Sequence, residues 1–600
     1  MNKNLGHTFH IPVLGVGYSV DAPAKVSKFG ISSVISLVDD TLMEHLRKYY
    51  SGKMGKPYQQ IATSEEDSRA RRVTAYLNMI NQIVKEQFEK LKCSAFEAGS
   101  EITKYFEMLP DMCELKKKYN EMISSADTNI KDKLQNWLRE NIYPGSIDVN
   151  IMTKLDKANF SHEGTQLPSE FNDAHASLRG FALSDLESTI IFSAGMNPKL
   201  FSHMESFKDF YPMPDGSFKK KIAIKVSDFR SAFIQGKFLA KKGLWVSEYR
   251  IESGLNCGGH AFASDGFLLG PILEEFKNRK NELVNSLKEI LIPALKKKEI
   301  LVDNEKLNFK VTVQGGVGKT EEHEFLLRYY GVESVGWGSP FLLVPEVMNV
   351  DPDTLKKLCA AGEDDLYLSN VSPLGVPFNS LRNNTKDIEK LNRLEKGKPG
   401  SPCTKKFLVS NKDYTEKSIC TASIEFMKKI SILKESEETE NKFKEEFEKA
   451  SEKVCLCEGL SASTLLNYNI ADAKQSLAVS ICPGPNLAYY SKVSTLKDMV
   501  DHIYGRINLI TNPERPNMFV KELILNIDFI EKKIEASLKS FNAQSEEYIN
   551  TYYNNLHDGL SYYRKIIPEI LEETEMVRLK ILESLDVLEQ RLLLHSLQPV

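Results

Sequence analysis

Two glycine-rich runs in the middle of the chain have the form of anion cradles. Val311-Thr312-Val313-Gln314-Gly315-Gly316-Val317-Gly318 passes from a β-branched run into a glycine turn, and Gly336-Trp337-Gly338-Ser339-Pro340 repeats the pattern shortly afterwards. If both close consecutive late strands of a barrel, their backbone N–H groups and a helix N-terminus can surround one phosphate dianion. Gly318-Lys319-Thr320 is similar to the end of a P-loop, but the first glycine of that motif would fall at Val313. Triphosphate binding is excluded on that ground.

Three further runs could complete a site. In Gly254-Leu255-Asn256-Cys257-Gly258-Gly259-His260-Ala261 a histidine follows two glycines, Gly258 and Gly259. An imidazole on a tight, exposed turn suits general acid/base work, because it exchanges a proton near neutral pH. The bland alternative is a structural histidine. Asn150, in Asp148-Val149-Asn150-Ile151-Met152, could hydrogen-bond ring heteroatoms or simply cap a strand. Pro12-Val13-Leu14-Gly15-Val16-Gly17-Tyr18-Ser19 offers a backbone bare enough at Gly15 and Gly17 for a flat ligand to approach. Lys225 ends another apolar run and could place a positive charge beside such a ligand, or be a surface lysine.

Five of the nine cysteines, Cys403, Cys420, Cys455, Cys457 and Cys482, crowd into one stretch. Four of them could supply the thiolates of an iron–sulfur cluster or a zinc site. They could equally remain free in a reducing compartment or form a reactive thiol relay. The stretch has no Cys-x-x-Cys pair, and Cys455 and Cys457 would share a face only on a strand.

These residues need elements to position them. Short β-branched or apolar runs at 11–18, 31–38, 147–152, 189–193, 222–226, 243–251, 309–314 and 334–337 read as strands, with a long helix at 265–298. The alternation predicts an α/β fold, a TIM (β/α)8-type barrel over 1–40 and 142–350. It is interrupted over 41–141 by charged sequence with helical spacing, such as Leu77, Ile80, Ile83 and Val84, which reads as a helical insertion. Residues 351–516 form the cysteine-containing region, with a charged helical run at 434–453. Residues 517–600 read as C-terminal helices carrying a Leu523, Ile527, Ile530, Ile534 stripe.

A chain of 600 residues exceeds one core, and a net charge of −4 with both signs interspersed gives no support to nucleic acid or an anionic membrane as partner. No run of about 18 apolar residues offers a membrane span, and residues 1–10 lack the apolar centre of a signal peptide. A cytoplasmic protein is the default expectation.

Taken in order, the runs resemble those of the nitronate monooxygenase family (2-nitropropane dioxygenases) and the related flavin-dependent enoyl-acyl carrier protein reductases. Pro12 to Ser19 is similar to the flavin-contacting turn, Val149-Asn150-Ile151-Met152 to the Val-Asn strand, and Ala194-Gly195-Met196-Asn197-Pro198 to the Gly-x-Asn-Pro strand end. Asn256-Cys257-Gly258-Gly259-His260 resembles the Glu-Ala-Gly-Gly-His element, with Asn256 where the family has Glu. Gln314-Gly315-Gly316-Val317 and Gly338-Ser339-Pro340-Phe341 resemble the two phosphate turns. The resemblance spans under half of the chain. It implies an FMN-binding TIM barrel with His260 beside the flavin as acid/base. The implied activity is an FMN-dependent oxidoreductase acting on a small or acyl-type organic substrate; the chemistry of such a site belongs to the cofactor, with protein groups orienting it and moving protons. A flavin-dependent enoyl-thioester reductase, needing a reduced nicotinamide donor, is the alternative within the fold. An iron–sulfur cluster, if formed, would pass electrons to the flavin. A non-catalytic flavin barrel serving an assembly is the alternative outside enzymes, and the C-terminal helices could join two copies.

Overall fold

The computed structural model describes residues 6–596 except 162, 194, 253, 255–257, 263–264, 433–439, 474 and 538–542. Eight parallel strands close into a barrel in sequence order: β1 (Phe9–Ile11), β2 (Ser32–Ser36), β3 (Ile147–Met152), β4 (Ser188–Ser193), β5 (Lys220–Val226), β6 (Val246–Glu252), β7 (Lys310–Gln314) and β8 (Ser334–Gly336). The seam is shut by β8 against β1, with Phe9 opposite Val335 and His10 opposite Gly336.

The pleat explains why these strands do not read as uniformly apolar runs. In β3, Val149 and Ile151 join the main core, whereas Asp148 and Asn150 have the opposite parity. In β6, Tyr249 and Ile251 pack outward, while Glu248 and Arg250 bond each other at 2.7 Å and Thr312 of β7 donates to Glu248 at 2.6 Å. A separate small cluster of Val34, Ile191 and Ala223, from β2, β4 and β5, packs with Val13. The barrel interior is therefore a thin apolar plug beside a hydrogen-bonded polar layer. Side chains of alternate parity supply it, as the period of a strand requires.

The first strand, Phe9–Ile11, lies ahead of the run at 11–18 expected to form it and shares only Ile11 with it. Pro12 has no N–H to extend the ladder, and Gly15 adopts φ +55, so the chain turns across the mouth instead. Between β2 and β3 stand five helices, among them Ser68–Cys93, whose buried Val73, Tyr76, Leu77, Ile80, Ile83 and Val84 recur at three- and four-residue spacing. This helix lies so close to Asp173–Ala182 that a Cβ on Gly180 would meet the Val73 Cβ at 2.7 Å.

The sequence after β8 packs on the barrel. An antiparallel pair, β9 (Leu366–Ser369) and β10 (Phe378–Leu381), and the helix Leu456–Tyr468 cover the mouth. The helices Met518–Ser537 and Ala543–Ile566 lie against Leu269–Lys297: Leu269 N–H donates to Glu522 at 3.0 Å, and Gly270 abuts the Tyr563 ring. The main hydrophobic core runs through the barrel and both flanking regions. No helix among the described residues is long and apolar enough to cross a membrane.

Candidate active site

One cavity opens at the carboxyl ends of the barrel strands, where chemistry is found in this architecture. Its floor and wall come from the ends of seven strands: Ser36, Asn150 and Met152, Ser193, Lys225, Glu252, Gln314 and Gly336. The turns that follow add Gly15, Val16, Gly258, Gly259, His260, Gly315, Gly316, Gly338 and Ser339. Runs scattered over more than three hundred residues thus meet in one place. Asn256, Cys257 and Ala194 lie outside the described residues.

The glycine turns have the conformations a cradle needs. Gly315 and Gly316 stand at φ +107 and +78, open to few residues besides glycine. Among the described residues, no hydrogen bond is made by the N–H groups of Gly315, Gly316, Val317, Gly338 or Ser339. Free N–H groups on successive residues form an anion-binding concavity. Asn150 is 3% exposed, lines the cavity, and its Oδ1 has no hydrogen-bond partner. A buried acceptor of this kind is costly unless a ligand satisfies it. Free N–H groups at one end and an unpaired carboxamide oxygen in the wall fit a planar heterocycle bearing a phosphate. FMN is such a group.

At the wall, Lys225 pairs with Glu252, whose other oxygen accepts from Gln314 Nε2 at 2.9 Å. His260 shares a hydrogen bond with Ser372 Oγ (2.7 Å), and its ring meets the Phe378 ring edge-on at 4.9 Å. Burial pushes its pKa down to about 4, so the imidazole is neutral at physiological pH. A neutral ring can take up a proton or present one N–H. It cannot act as a resident imidazolium donor, which narrows the acid/base expectation.

Three expected contacts lie elsewhere. Gly17 sits under the helix Leu456–Tyr468: its N–H donates to Leu460 O at 3.0 Å, and a Cβ there would meet Thr464 Oγ1 at 2.7 Å. Gly318 donates to Glu322 at 2.9 Å, and a Cβ would lie 2.8 Å from the Arg515 guanidinium. That glycine makes room for an arginine. Trp337 is fully buried, with its indole N–H on His323 Nδ1 at 3.2 Å. The metal expectation on Cys403, Cys420, Cys455, Cys457 and Cys482 is not supported. Among the described residues no group of three or more His, Cys, Asp or Glu side chains is placed to hold a metal ion. Cys482 lines the cavity instead, where burial pushes its thiol up to about 12 against the pull of the Gly259 and Gly15 N–H groups.

The sequence reading missed the roof. Phe378, Phe407, Leu408, Leu456, Cys457, Leu460, Cys482, Gly484, Pro485 and Asn486 close the cavity from the region after the barrel. Each glycine turn is gripped by this region. Asn379 N–H donates to Gly259 O (2.9 Å), Gly484 N–H to Ser339 Oγ (2.6 Å), and the Asn486 amide to Gly316 O (2.6 Å) and Val317 O (2.8 Å). The one available signal was Cys482-Pro483-Gly484-Pro485, a second turn-rich run with no partner of its own.

No family model and no curated protein matches the chain. Among solved structures, a mutant FabK from Thermotoga maritima is 14% identical, with 63% of this chain and 80% of that chain covered at a TM-score of 0.28. The enoyl reductase domain of MlnA, from the macrolactin biosynthesis cluster of Bacillus amyloliquefaciens, is 12% identical, with 69% and 89% covered at a TM-score of 0.32.

Proposed function

We propose that this chain is an FMN-dependent oxidoreductase of nitronate monooxygenase-like type, acting on a small or acyl-type organic substrate. The observation that carries the reading is the convergence of seven strand ends and their glycine turns on one cavity, with free N–H groups beside an unpaired buried carboxamide.

FMN, when bound, supplies hydride or single-electron transfer. The chain's own groups do the rest. The N–H groups of Gly315, Gly316, Val317, Gly338 and Ser339 hold the phosphate. The free Oδ1 of Asn150 accepts from a ring N–H. Lys225, held by Glu252, contributes positive charge at the cavity wall. His260 is fixed by the hydrogen bond it shares through Nε2 with Ser372 Oγ, and exchanges a proton with substrate at its other ring nitrogen. Leu408, Leu460, Phe378 and Phe407 exclude water and offer an apolar face to an acyl or alkyl group.

The test is binding first, then turnover. Purified protein should quench the fluorescence of added FMN at one equivalent. Riboflavin should bind at least about tenfold more weakly, since charge-assisted hydrogen bonds to the phosphate are worth about 1.5–3 kcal/mol each. Failure to bind either flavin sinks the reading, and equal affinity sinks the phosphate assignment. With a substrate found by scanning nitronates and enoyl thioesters, His260→Gln should retain FMN and lose about 100-fold in turnover. Full turnover would remove His260 from the reaction.

A further inference from the structure

A second, larger cavity stands beside the first. Its volume is about 1180 Å³, against about 210 Å³ for the site at the barrel mouth. Its walls come from three parts of the chain. The helical insertion supplies Asp40 and Arg72, the segment after β3 supplies Lys157 and Asp173, and the region after the barrel supplies Lys405 and Asp472. The two spaces meet at Phe407. A void of about 20 Å³, room for one water, lies between them. Val38, Met152 and Leu155 are common to the void and the first cavity, Arg69 and Asp173 to the void and the second, and Phe407 to all three.

Phe407 is placed from two directions. Ahead of it, Lys405 pairs with buried Asp39, and the chain turns through Lys406 at φ +56. The guanidinium of Arg69, carried by the insertion helix Ser68–Cys93, lies 5.1 Å from the centre of its ring. Arg69 is itself fixed by Asp40 (3.0 Å), Asp173 (3.4 Å) and Val38 O (3.0 Å). Cation–π attraction is strong enough to hold the ring and weak enough to let it turn aside.

The sizes divide the work. Cavities for drug-sized ligands are about 300–1,000 Å³, so a flavin takes up most of the first cavity and leaves room for only the reacting end of a substrate. The charges describe what the second cavity accepts. Seven carboxylates and five lysines or arginines line it. Arg69, Arg72, Lys157 and Lys405 each already hold a carboxylate, Arg72 with Asp40 at 2.9 Å and Lys157 with Asp173 at 3.5 Å. An anion entering there meets net negative charge and cations that are already paired.

We propose that the second cavity binds the tail of the substrate and that Phe407 is the gate between it and the flavin. The identity of the first cavity's occupant rests on the flavin reading above. The substrate is then an elongated molecule with an apolar reacting end and a tail that bears hydroxyl, amide or amine groups and no negative charge.

The experiment needs neither flavin nor substrate. N-phenylnaphthylamine is a neutral dye that fluoresces in apolar surroundings, and anilinonaphthalene sulfonate is the same ring system with an anionic group. Stopped-flow mixing of the full-length protein with the neutral dye gives its entry and exit rates. Phe407→Ala should raise both at least about fivefold, with a smaller shift in Kd, as removal of a gate requires. Gln60 and Ala473 are exposed, one on the insertion wall and one on the wall after the barrel. Gln60→Trp with Ala473→Trp should slow entry at least about fivefold, whether or not the Phe407 variant folds. The sulfonate should enter the unaltered chain at least about tenfold more slowly than the neutral dye, because the cavity repels it. A neutral dye that does not bind, or rates that ignore all three substitutions, overturn the gate. Equal entry of the two dyes overturns the charge assigned to the tail. FMN should displace the neutral dye; a dye that is gated as expected but untouched by FMN upholds the gate and overturns the flavin reading instead.

Discussion

Arg515→Met is expected to cost about 3–5 kcal/mol of folding stability, the penalty for leaving a buried charge without its partner. Arg515 and Glu322 form a two-point pair at 2.7 and 2.9 Å, with side chains 1% and 2% exposed. Burial alone would make both charges expensive. They are retained because each does further work. Arg515 also donates to Gly316 O (2.8 Å) and Asn486 Oδ1 (3.0 Å), so one guanidinium positions the glycine turn and the amide that grips it. Glu322 also accepts from Gly318 N–H (2.9 Å) and Met518 N–H (2.8 Å), joining that turn to the terminal helices. Without the arginine, two N–H donors remain for a buried carboxylate. Denaturant unfolding should show the loss, and FMN affinity should fall with it. Adding Glu322→Gln to Arg515→Met should recover about 1–3 kcal/mol, the interaction expected of neighbours in one network. A single variant within 1 kcal/mol of the parent would mean that the pair is not what holds the turn.

That pair also shows where reading from sequence stops. The strands after the first turn, and the glycine turns, were legible because their signals are local: a β-branched run ending in glycine looks the same wherever it sits. Ile147–Met152 falls where its sequence predicts. The order of the runs carried the site, since a parallel barrel brings consecutive strand ends to one rim. Arg515, Asn486, Ser372 and Leu460 carry no such signal. Each is an ordinary residue made specific by a contact 112 to 443 positions away: Leu460 with Gly17, Ser372 with His260, Asn486 with Gly316 and Arg515 with Glu322. The cysteines misled for a related reason. Their crowding in sequence suggested one cluster drawn from all five, while the fold sends Cys482 to the cavity beside Gly15 and Gly259. Gly318 and Trp337 were drawn into the phosphate site by adjacency, although a glycine can as well make room for a side chain as for a ligand.

Acid should weaken the fold steeply, and from a pH at which carboxylates such as Asp39 are still ionised. Burial holds His7 and His323 at about 3 and His260 at about 4, and pushes His10 well below the ordinary value, helped by Arg250. Hydrogen bonding shows why a second proton is refused. The Trp337 indole can only donate, so His323 Nδ1 must accept (3.2 Å) while Nε2–H goes to Thr8 Oγ1 (2.9 Å). Tyr504 accepts the Thr8 N–H (3.2 Å), its own proton goes to His7 Nδ1 (3.0 Å), and His7 Nε2–H goes to Phe29 O (3.2 Å). In the unfolded chain all four titrate near 6.5. As pH falls below that value the unfolded state binds protons that the folded state cannot, and stability is lost until the folded pKa values are reached. Glu573 works in the opposite direction. Burial and the neighbouring Glu321 and Glu322 raise it to about 7 against Lys319, so the folded state takes up that proton first. His203 is likewise held at about 4 by burial, so five histidines less one glutamate leave about four protons, or roughly 5 kcal/mol per pH unit below about pH 6, and His502, also lowered by burial, adds in the same direction. Asp39 does not enter this window. Burial would raise it, but Lys405 and bonds from Ser461 and Thr41 hold it at about 2, so its contribution is lost only in stronger acid. Guanidinium unfolding at about pH 7 and about pH 5.5 measures the slope. His323→Gln keeps one donor and one acceptor for Thr8 and Trp337 and cannot be protonated, so its slope should be shallower by roughly 1.4 kcal/mol per pH unit. An unchanged slope would show that His323 takes its proton in the folded state, and that the Trp337 bond does not fix its charge.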